Sequence, residues 1–135
     1  MTERTFVIIK PDAVEAGHAG EILARYEGLG LRLEALDLRT ITGEFSDLHY
    51  AEHLERDFYP ALRQFMTSGP MIPMVLTGEN AIAQVRALNG ATDPTKADAG
   101  TIRADFGEGG PRNAVHASDS PESAAAEIAL WFPAL

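Results

Sequence analysis

The stretch TFVIIKPD at positions 5–12 constrains the fold most, because Phe6, Val7, Ile8 and Ile9 are apolar without a break and mostly β-branched. An uninterrupted run of that kind reads as a buried central strand of a sheet. Lys10-Pro11-Asp12 follows as a turn signal, which leaves a lysine at the strand's end.

The rest of the chain supplies covers and neighbours for that strand. Ala19, Ile22, Leu23 and Tyr26 fall at helical spacing and stop at Gly-Leu-Gly 28–30. Leu31, Leu33 and Ala35 alternate before the parity shifts to Leu36 and Leu38, which predicts a strand with a bulge near 35–36. Ser46-Asp47 opens a helical region whose face is marked by Leu54, Phe58, Leu62 and Phe65, with Pro60 dividing it into two short helices. MIPMVLTG at 71–78 is a strand that Pro73 demotes towards an edge or a bulge. A short helix follows over about 80–89.

Residues 91–112 show no sustained period, and loops of that length in a compact domain are usually functional. NAVHA at 113–117 is the last strand, after which Ser120 caps a helix with Pro121 at its first position, running to about Trp131. The β-α-β-β-α-β order is that of an α+β, ferredoxin-like sandwich: a four-stranded antiparallel sheet, extra helices and a long loop before the last strand. A doubly wound parallel sheet fits less well, because only the first and third connections have the helical length of a parallel crossover. One domain over 1–135 is expected at this length.

Twenty acidic residues against eleven basic ones, a net charge of −9, argue against nucleic acid or an anionic membrane as a partner. An anionic ligand must therefore be met by a local cluster of those few cations. The chain has no cysteine, which removes disulfides and thiolate metal sites. MTERTFVIIK is too charged and too briefly apolar for a signal peptide or a span, so a cytoplasmic location is the expectation. Neither glycine-loop nucleotide pattern, G-x-x-x-x-G-K-[ST] or G-x-G-x-x-G, occurs. A G-x-S-x-G serine elbow is missing as well.

Four histidines remain: His18, His49, His53 and His116. His18, near a helix start among small residues, reads as solvated. His49 and His53 stand four apart in HYAEH and would share a metal if both lay on one helix, but no third ligand is evident. His116 differs in its context. On the final helix Ala124, Glu127, Ile128 and Trp131 share one face by their spacing, so an acid points inward among apolar residues and needs a partner. The strand carrying His116 leads into that helix through a tight turn. Glu127 is thus placed to hold one ring nitrogen, fix the tautomer and leave the other free as a nucleophile. Ser118, Asp119 and Ser120 add donors and an acid at the helix start, where anions are favoured. The plainer alternative for His116 is a structural histidine satisfied by a hydrogen bond.

NAVHASDS, with TFVIIKPDAV at the start and MTSGPM in the middle, resembles the nucleoside diphosphate kinase family in motif and in order along the whole chain. The resemblance implies transfer of a γ-phosphoryl group from a nucleoside triphosphate to a nucleoside diphosphate through a phosphohistidine at His116. It implies Glu127 orienting that ring and Ser118 beside them. Lys10, Tyr50, Arg103 and Asn113 would surround phosphates and sugar, Arg86 and Thr92 would hold the β-phosphate side, and Phe58 would stack on the base. Mg²⁺ would ride on the phosphates, with no protein metal ligand and Asp119 as an outer contact. A homo-oligomer, dimer or tetramer, is implied too. The rival class is a binding module, since the same fold serves many sensors without chemistry.

Overall fold

The computed structural model describes residues 2–135. In chain order it contains β1 (Thr2–Ile9), α1 (Pro11–Glu15), α2 (Ala19–Glu27), β2 (Arg32–Leu36), α3 (Gly43–His49), a 3-10 turn (Ala51–His53), α4 (Tyr59–Met66), β3 (Ile72–Glu79), α5 (Ala81–Asn89), a second 3-10 turn (Pro94–Lys96), α6 (Ile102–Phe106), β4 (Val115–Ala117) and α7 (Pro121–Trp131). The four strands form one antiparallel sheet in the order β2-β3-β1-β4, the ferredoxin-like arrangement that the element order predicts.

The run Phe6–Ile9 explains the layering. Successive strand residues point to opposite faces. Val7 and Ile9 therefore enter the core roofed by Ile22 and Tyr26 of α2 and Val85 of α5, while Phe6 and Ile8 enter a second core with Tyr50, Met66, Ile128 and Trp131. Over residues 5–9 both faces of β1 are fully covered, as a continuous apolar strand requires.

Several local expectations are corrected. Pro73 lies in β3, an inner strand rather than an edge, opposite Ile8 of β1 and with its carbonyl accepting from Asp37 N at 3.1 Å. Its backbone polar groups thus face β2 just where β2 ends, and β1 asks nothing of the missing N–H. The β2 bulge falls between Leu33 and Ala35, slightly earlier than the parity shift suggests. Pro11 does not make a plain turn: it opens α1, because a proline at the first helical position loses no bond. Pro60 does divide the region as expected, standing in the first turn of α4, but α3 starts at Gly43 instead of Ser46-Asp47, capped by Thr42 whose Oγ1 accepts from Phe45 N. The stretch 91–112 is not all loop, since it contains the second 3-10 turn and α6. His18 is half-buried against the Phe106 ring, centroids 4.7 Å apart, and not simply solvated.

Candidate active site

Strand register decides where His116 points. His116 sits opposite Ile8 across the β1–β4 ladder, and directly opposed residues share a sheet face. Its ring therefore lies on the side of Phe6, with centroids 6.1 Å apart, under α7 and the end of α3, while Val115 and Ala117 turn into the other core. The stretch leading into β4 is held under strain. Ala114 has φ 76°, left-handed for a residue with a Cβ, a conformation that costs about 1–3 kcal/mol unless its surroundings enforce it. Here Lys10 N donates to Ala114 O at 2.8 Å and Ala114 N donates to Asp12 Oδ2 at 3.1 Å, so the peptide is clamped at both ends by the first residues after β1. The buried Asp12 carboxyl is pushed up by burial and partly restored by that N–H, and beyond its place in the Lys10-Pro11-Asp12 turn signal nothing in the sequence marks it for this role.

α7 brings the acid. Ser120 Oγ accepts from Ser123 N at 3.1 Å and Ser123 Oγ accepts from Ser120 N at 3.2 Å, so the helix start is capped reciprocally. Two turns on, Glu127 Oε2 lies 2.9 Å from His116 Nε2, and Glu127 Oε1 accepts from Ser118 Oγ at 2.5 Å. Ser118 Oγ in turn receives Phe6 N at 3.3 Å. Burial works against the Glu127 charge, but the hydrogen bond and charge of His116, the Ser118 hydroxyl and His49 outweigh it and hold the carboxyl below its usual range. An ionised carboxylate only accepts, so His116 Nε2 carries the proton and Nδ1 keeps its lone pair. The ring retains 23% side-chain exposure, so it is not sealed from solvent.

Cations gather around this floor. Lys10 Nζ donates to Asn113 Oδ1 at 2.8 Å, and Asn113 Nδ2 donates to Thr92 O at 3.1 Å. Burial, reinforced by the Arg103 charge and opposed by Asp12, pushes the Lys10 ammonium down to about 8. Ala114 O and Ser118 N bond β1, so by alternation the carbonyls of residues 115 and 117 face the free edge of β4. Arg103 Nη2 caps Val115 O at 2.8 Å and Arg86 Nη1 caps Ala117 O at 3.4 Å, so two guanidiniums cover the edge on either side of His116. Arg103 Nη1 also donates to Gly90 O at 3.0 Å, while its buried Nε has no partner among the described residues.

The other expected residues sit further out. Tyr50 is buried at the end of α3, its ring edge-on to His49 at 4.6 Å and 5.7 Å from Tyr59, and burial raises its phenol. Asp47 ties that region together, accepting from Tyr59 Oη at 2.7 Å and Arg63 Nε at 3.0 Å across α3 and α4. Phe58 is 53% exposed and meets the His53 ring at 5.5 Å; Thr92 is exposed, and its carbonyl rather than its hydroxyl makes the bond to Asn113. Neither side chain is drawn into the His116 cluster.

The His49–His53 metal pair does not form. HYAEH spans the break between α3 and the 3-10 turn, so the spacing of four is not that of one continuous helix. His49 instead joins His116 and Glu127, whose ligand atoms lie within 4.8 Å of one another, with Trp131 Nε1 donating to His49 Nδ1 at 3.0 Å. A neutral His49 that accepts at Nδ1 bears its proton on Nε2, the nitrogen facing Glu127, and a protonated nitrogen cannot ligate a metal.

The family model described as nucleoside diphosphate kinase matches residues 3–135. A nucleoside diphosphate kinase of Rhodococcus erythropolis is 60% identical over 136 residues, covering 100% of this chain and 98% of the relative. One of a Nocardioides strain is 54% identical over 135 residues, with both chains covered in full. Among solved structures, the nucleoside diphosphate kinase of Aquifex aeolicus superposes with a TM-score of 0.94 at 45% identity, covering 98% of this chain and 96% of the other.

Proposed function

This chain belongs to the nucleoside diphosphate kinase family, and from that premise we propose that His116 carries the phosphoryl group between the two nucleotides. The reaction moves the γ-phosphoryl of a nucleoside triphosphate to a nucleoside diphosphate. The observation that carries the assignment is the 2.9 Å contact between His116 Nε2 and Glu127 on a ring that is still partly open to solvent.

In the first half-reaction the Nδ1 lone pair attacks the γ-phosphorus, the bond to the β,γ-bridging oxygen breaks, and the diphosphate leaves with that electron pair. The new N–P bond leaves the imidazole cationic, because Nε2 keeps its proton. Glu127, held ionised, offsets that charge through the same hydrogen bond. In the second half-reaction a terminal oxygen of the acceptor diphosphate attacks phosphorus and the N–P electron pair returns to Nδ1. One site thus serves donor and acceptor in turn, which is ping-pong chemistry.

Phosphoryl transfer needs positive charge around the peripheral oxygens more than it needs covalent help. Lys10, Arg86 and Arg103 supply it against a chain of net charge −9. Asn113, Tyr50 and Thr92 would meet the sugar and the β-phosphate side, and Phe58, 53% exposed, would offer its ring to any base. The oxygen donors nearby suit a hard cation that arrives on the nucleotide: Glu127 is engaged by His116 and Ser118, Asp12 is buried, and Asp119 remains as an exposed carboxylate for an outer contact. Mg²⁺ bound in that way would neutralise phosphate charge.

The same reading makes residues 1–135 one catalytic domain working in the cytoplasm, with nucleoside di- and triphosphates as partners and neither nucleic acid nor membrane. Among the described residues no helix is long and apolar enough to cross a membrane. A homo-oligomer, dimer or tetramer, is supported by the open β2 edge, where Leu33, Leu36 and Leu38 are 40%, 44% and 61% exposed.

The test is brief exposure to a γ-labelled nucleoside triphosphate with Mg²⁺. An acid-labile, base-stable phosphoprotein is expected, and His116→Ala should abolish it along with turnover. Undiminished label in that variant would overturn the assignment.

A further inference from the structure

Taking His116 as the phosphoryl carrier, we propose that His49 is a positioning residue, locked by Trp131 in the Nε2–H tautomer so that its N–H always faces the Glu127 carboxylate. The argument begins with an asymmetry of the indole. Its nitrogen donates and never accepts. Trp131 Nε1 lies 3.0 Å from His49 Nδ1, so Nδ1 must be the bare nitrogen. The proton of neutral His49 then sits on Nε2, which lies 4.0 Å from Glu127 Oε2, the same oxygen that receives His116 Nε2–H at 2.9 Å.

The separation of 4.0 Å exceeds a hydrogen bond, so the contact is between a dipole and a charge. Its sign is what matters. With Nε2–H towards Glu127, His49 adds positive potential to a carboxylate already held by Ser118 and His116. In the opposite tautomer a bare lone pair would face the same oxygen and push Glu127 towards taking the His116 proton, which would unfix the nucleophile's tautomer.

The lock also resists charging. The His49 side chain is 2% exposed. The groups that face it are Phe6 of β1, the Lys10 ammonium beyond that strand, Tyr50 and His53 after α3, His116 of β4, and Glu127 and Trp131 of α7. Burial, with the nearby His116, Lys10 and His53 charges adding to it and Glu127 opposing, depresses the imidazole to about 3. Protonation at Nδ1 would in addition break the Trp131 bond. His49 is therefore a fixed neutral dipole across the working pH range. Trp131 stands four residues after Glu127 on α7, so one helix both supplies the acid and fixes the ring that faces it.

Nitrogen NMR of ¹⁵N-histidine-labelled protein reads the tautomer directly. A protonated Nε2 and a bare, hydrogen-bonded Nδ1 at His49 should persist unchanged from pH 8 to pH 5. A protonated Nδ1 with bare Nε2, or titration near the ordinary histidine range, would overturn the proposal without touching the role of His116. Kinetics provides the second reading. His49→Phe keeps an aromatic ring but no donor, and should lower the rate of phosphoenzyme formation about tenfold with KM within about twofold. His49→Gln, which restores an N–H towards Glu127, should recover most of that loss. A packing role predicts the reverse order, with Phe nearer wild type than Gln, and that outcome would sink the idea. If His49→Phe fails to fold, the NMR result on the wild-type protein decides alone. Loss of phosphoenzyme in the wild type would instead strike the His116 assignment.

Discussion

Glu127 and Phe58 stand for two halves of the proposed nucleotide site that are built in opposite ways. Glu127 is met by His116 of β4 and by Ser118 just after that strand, and is faced by His49 from the end of α3, all in place before a nucleotide arrives. Phe58 lies just before α4, more than half exposed, with the His53 ring beside it. The floor is a closed network whose members fix each other's protonation and geometry, while the rim is a set of separate side chains awaiting a ligand. Interactions made only as charge moves raise turnover, and interactions made equally in ground and transition states lower KM. The two halves should therefore fail differently when altered.

The largest effect that tests this contrast beyond His116 itself is at Glu127. Glu127→Ala removes the acceptor that fixes the His116 tautomer and stabilises the cationic phosphoimidazole. A hydrogen bond to a charged group is worth about 1.5–3 kcal/mol, so the phosphorylation rate should fall about 10- to 100-fold. Nucleotide affinity should stay within a few-fold, as single-turnover kinetics at several nucleotide concentrations would show. A loss confined to affinity would place Glu127 with the rim.

Lys10 lies between the halves, and its effect is set by pH. Its free-enzyme value is pushed down to about 8 by burial and by Arg103, below the ordinary lysine range, so the ammonium is present below pH 8 and lost above it. A neutral amine attracts phosphate less, and kcat/KM should fall about tenfold for each pH unit above about 8. A bound polyphosphate brings negative charge that favours the ammonium, so the basic limb of kcat should lie at higher pH. Coincident limbs would mean that Lys10 does not face the phosphates.

Much of the floor is legible in the sequence because it follows from periodicity. The spacing of Ala124, Glu127, Ile128 and Trp131 puts an acid on the inward face of α7, and the short link from β4 puts His116 beneath it; the structure has that geometry. What escapes depends on contacts between distant segments. Asp12 matters through Ala114, 102 positions away, and only because that alanine has φ 76°. His49 looks like half of a helical metal pair with His53 until the chain leaves α3 at Tyr50, whose φ of −101° and ψ of 32° end the helix. Pro73 looks like an edge residue because composition does not reveal which neighbour its absent N–H would face. On the rim the spacing of Leu54, Phe58, Leu62 and Phe65 marks Phe58 only as part of an apolar face, yet it is 53% exposed and Leu54 47%; a place for Phe58 or Thr92 beside a nucleotide comes from family resemblance alone.

The smallest effect should come from Phe58, and its uniformity is the informative part. Stacking of a base on an aromatic ring is worth about 1–3 kcal/mol and tolerates every base, because each has a π-face. Phe58 offers one open face and is no part of the core, so Phe58→Ala should fall at the low end, raising KM about fivefold for adenine, guanine, cytosine and uracil nucleotides alike. Phosphorylation at saturating nucleotide should be unchanged, since the His116–Glu127 contact does not involve this ring. Thermal stability should be unchanged as well, because a side chain 53% exposed buries little apolar area on folding. A loss restricted to purines would point to selective edge contacts in place of stacking. A drop in the saturated phosphorylation rate would mean that base binding organises the floor, and the division between a preformed floor and a passive rim would have to be abandoned.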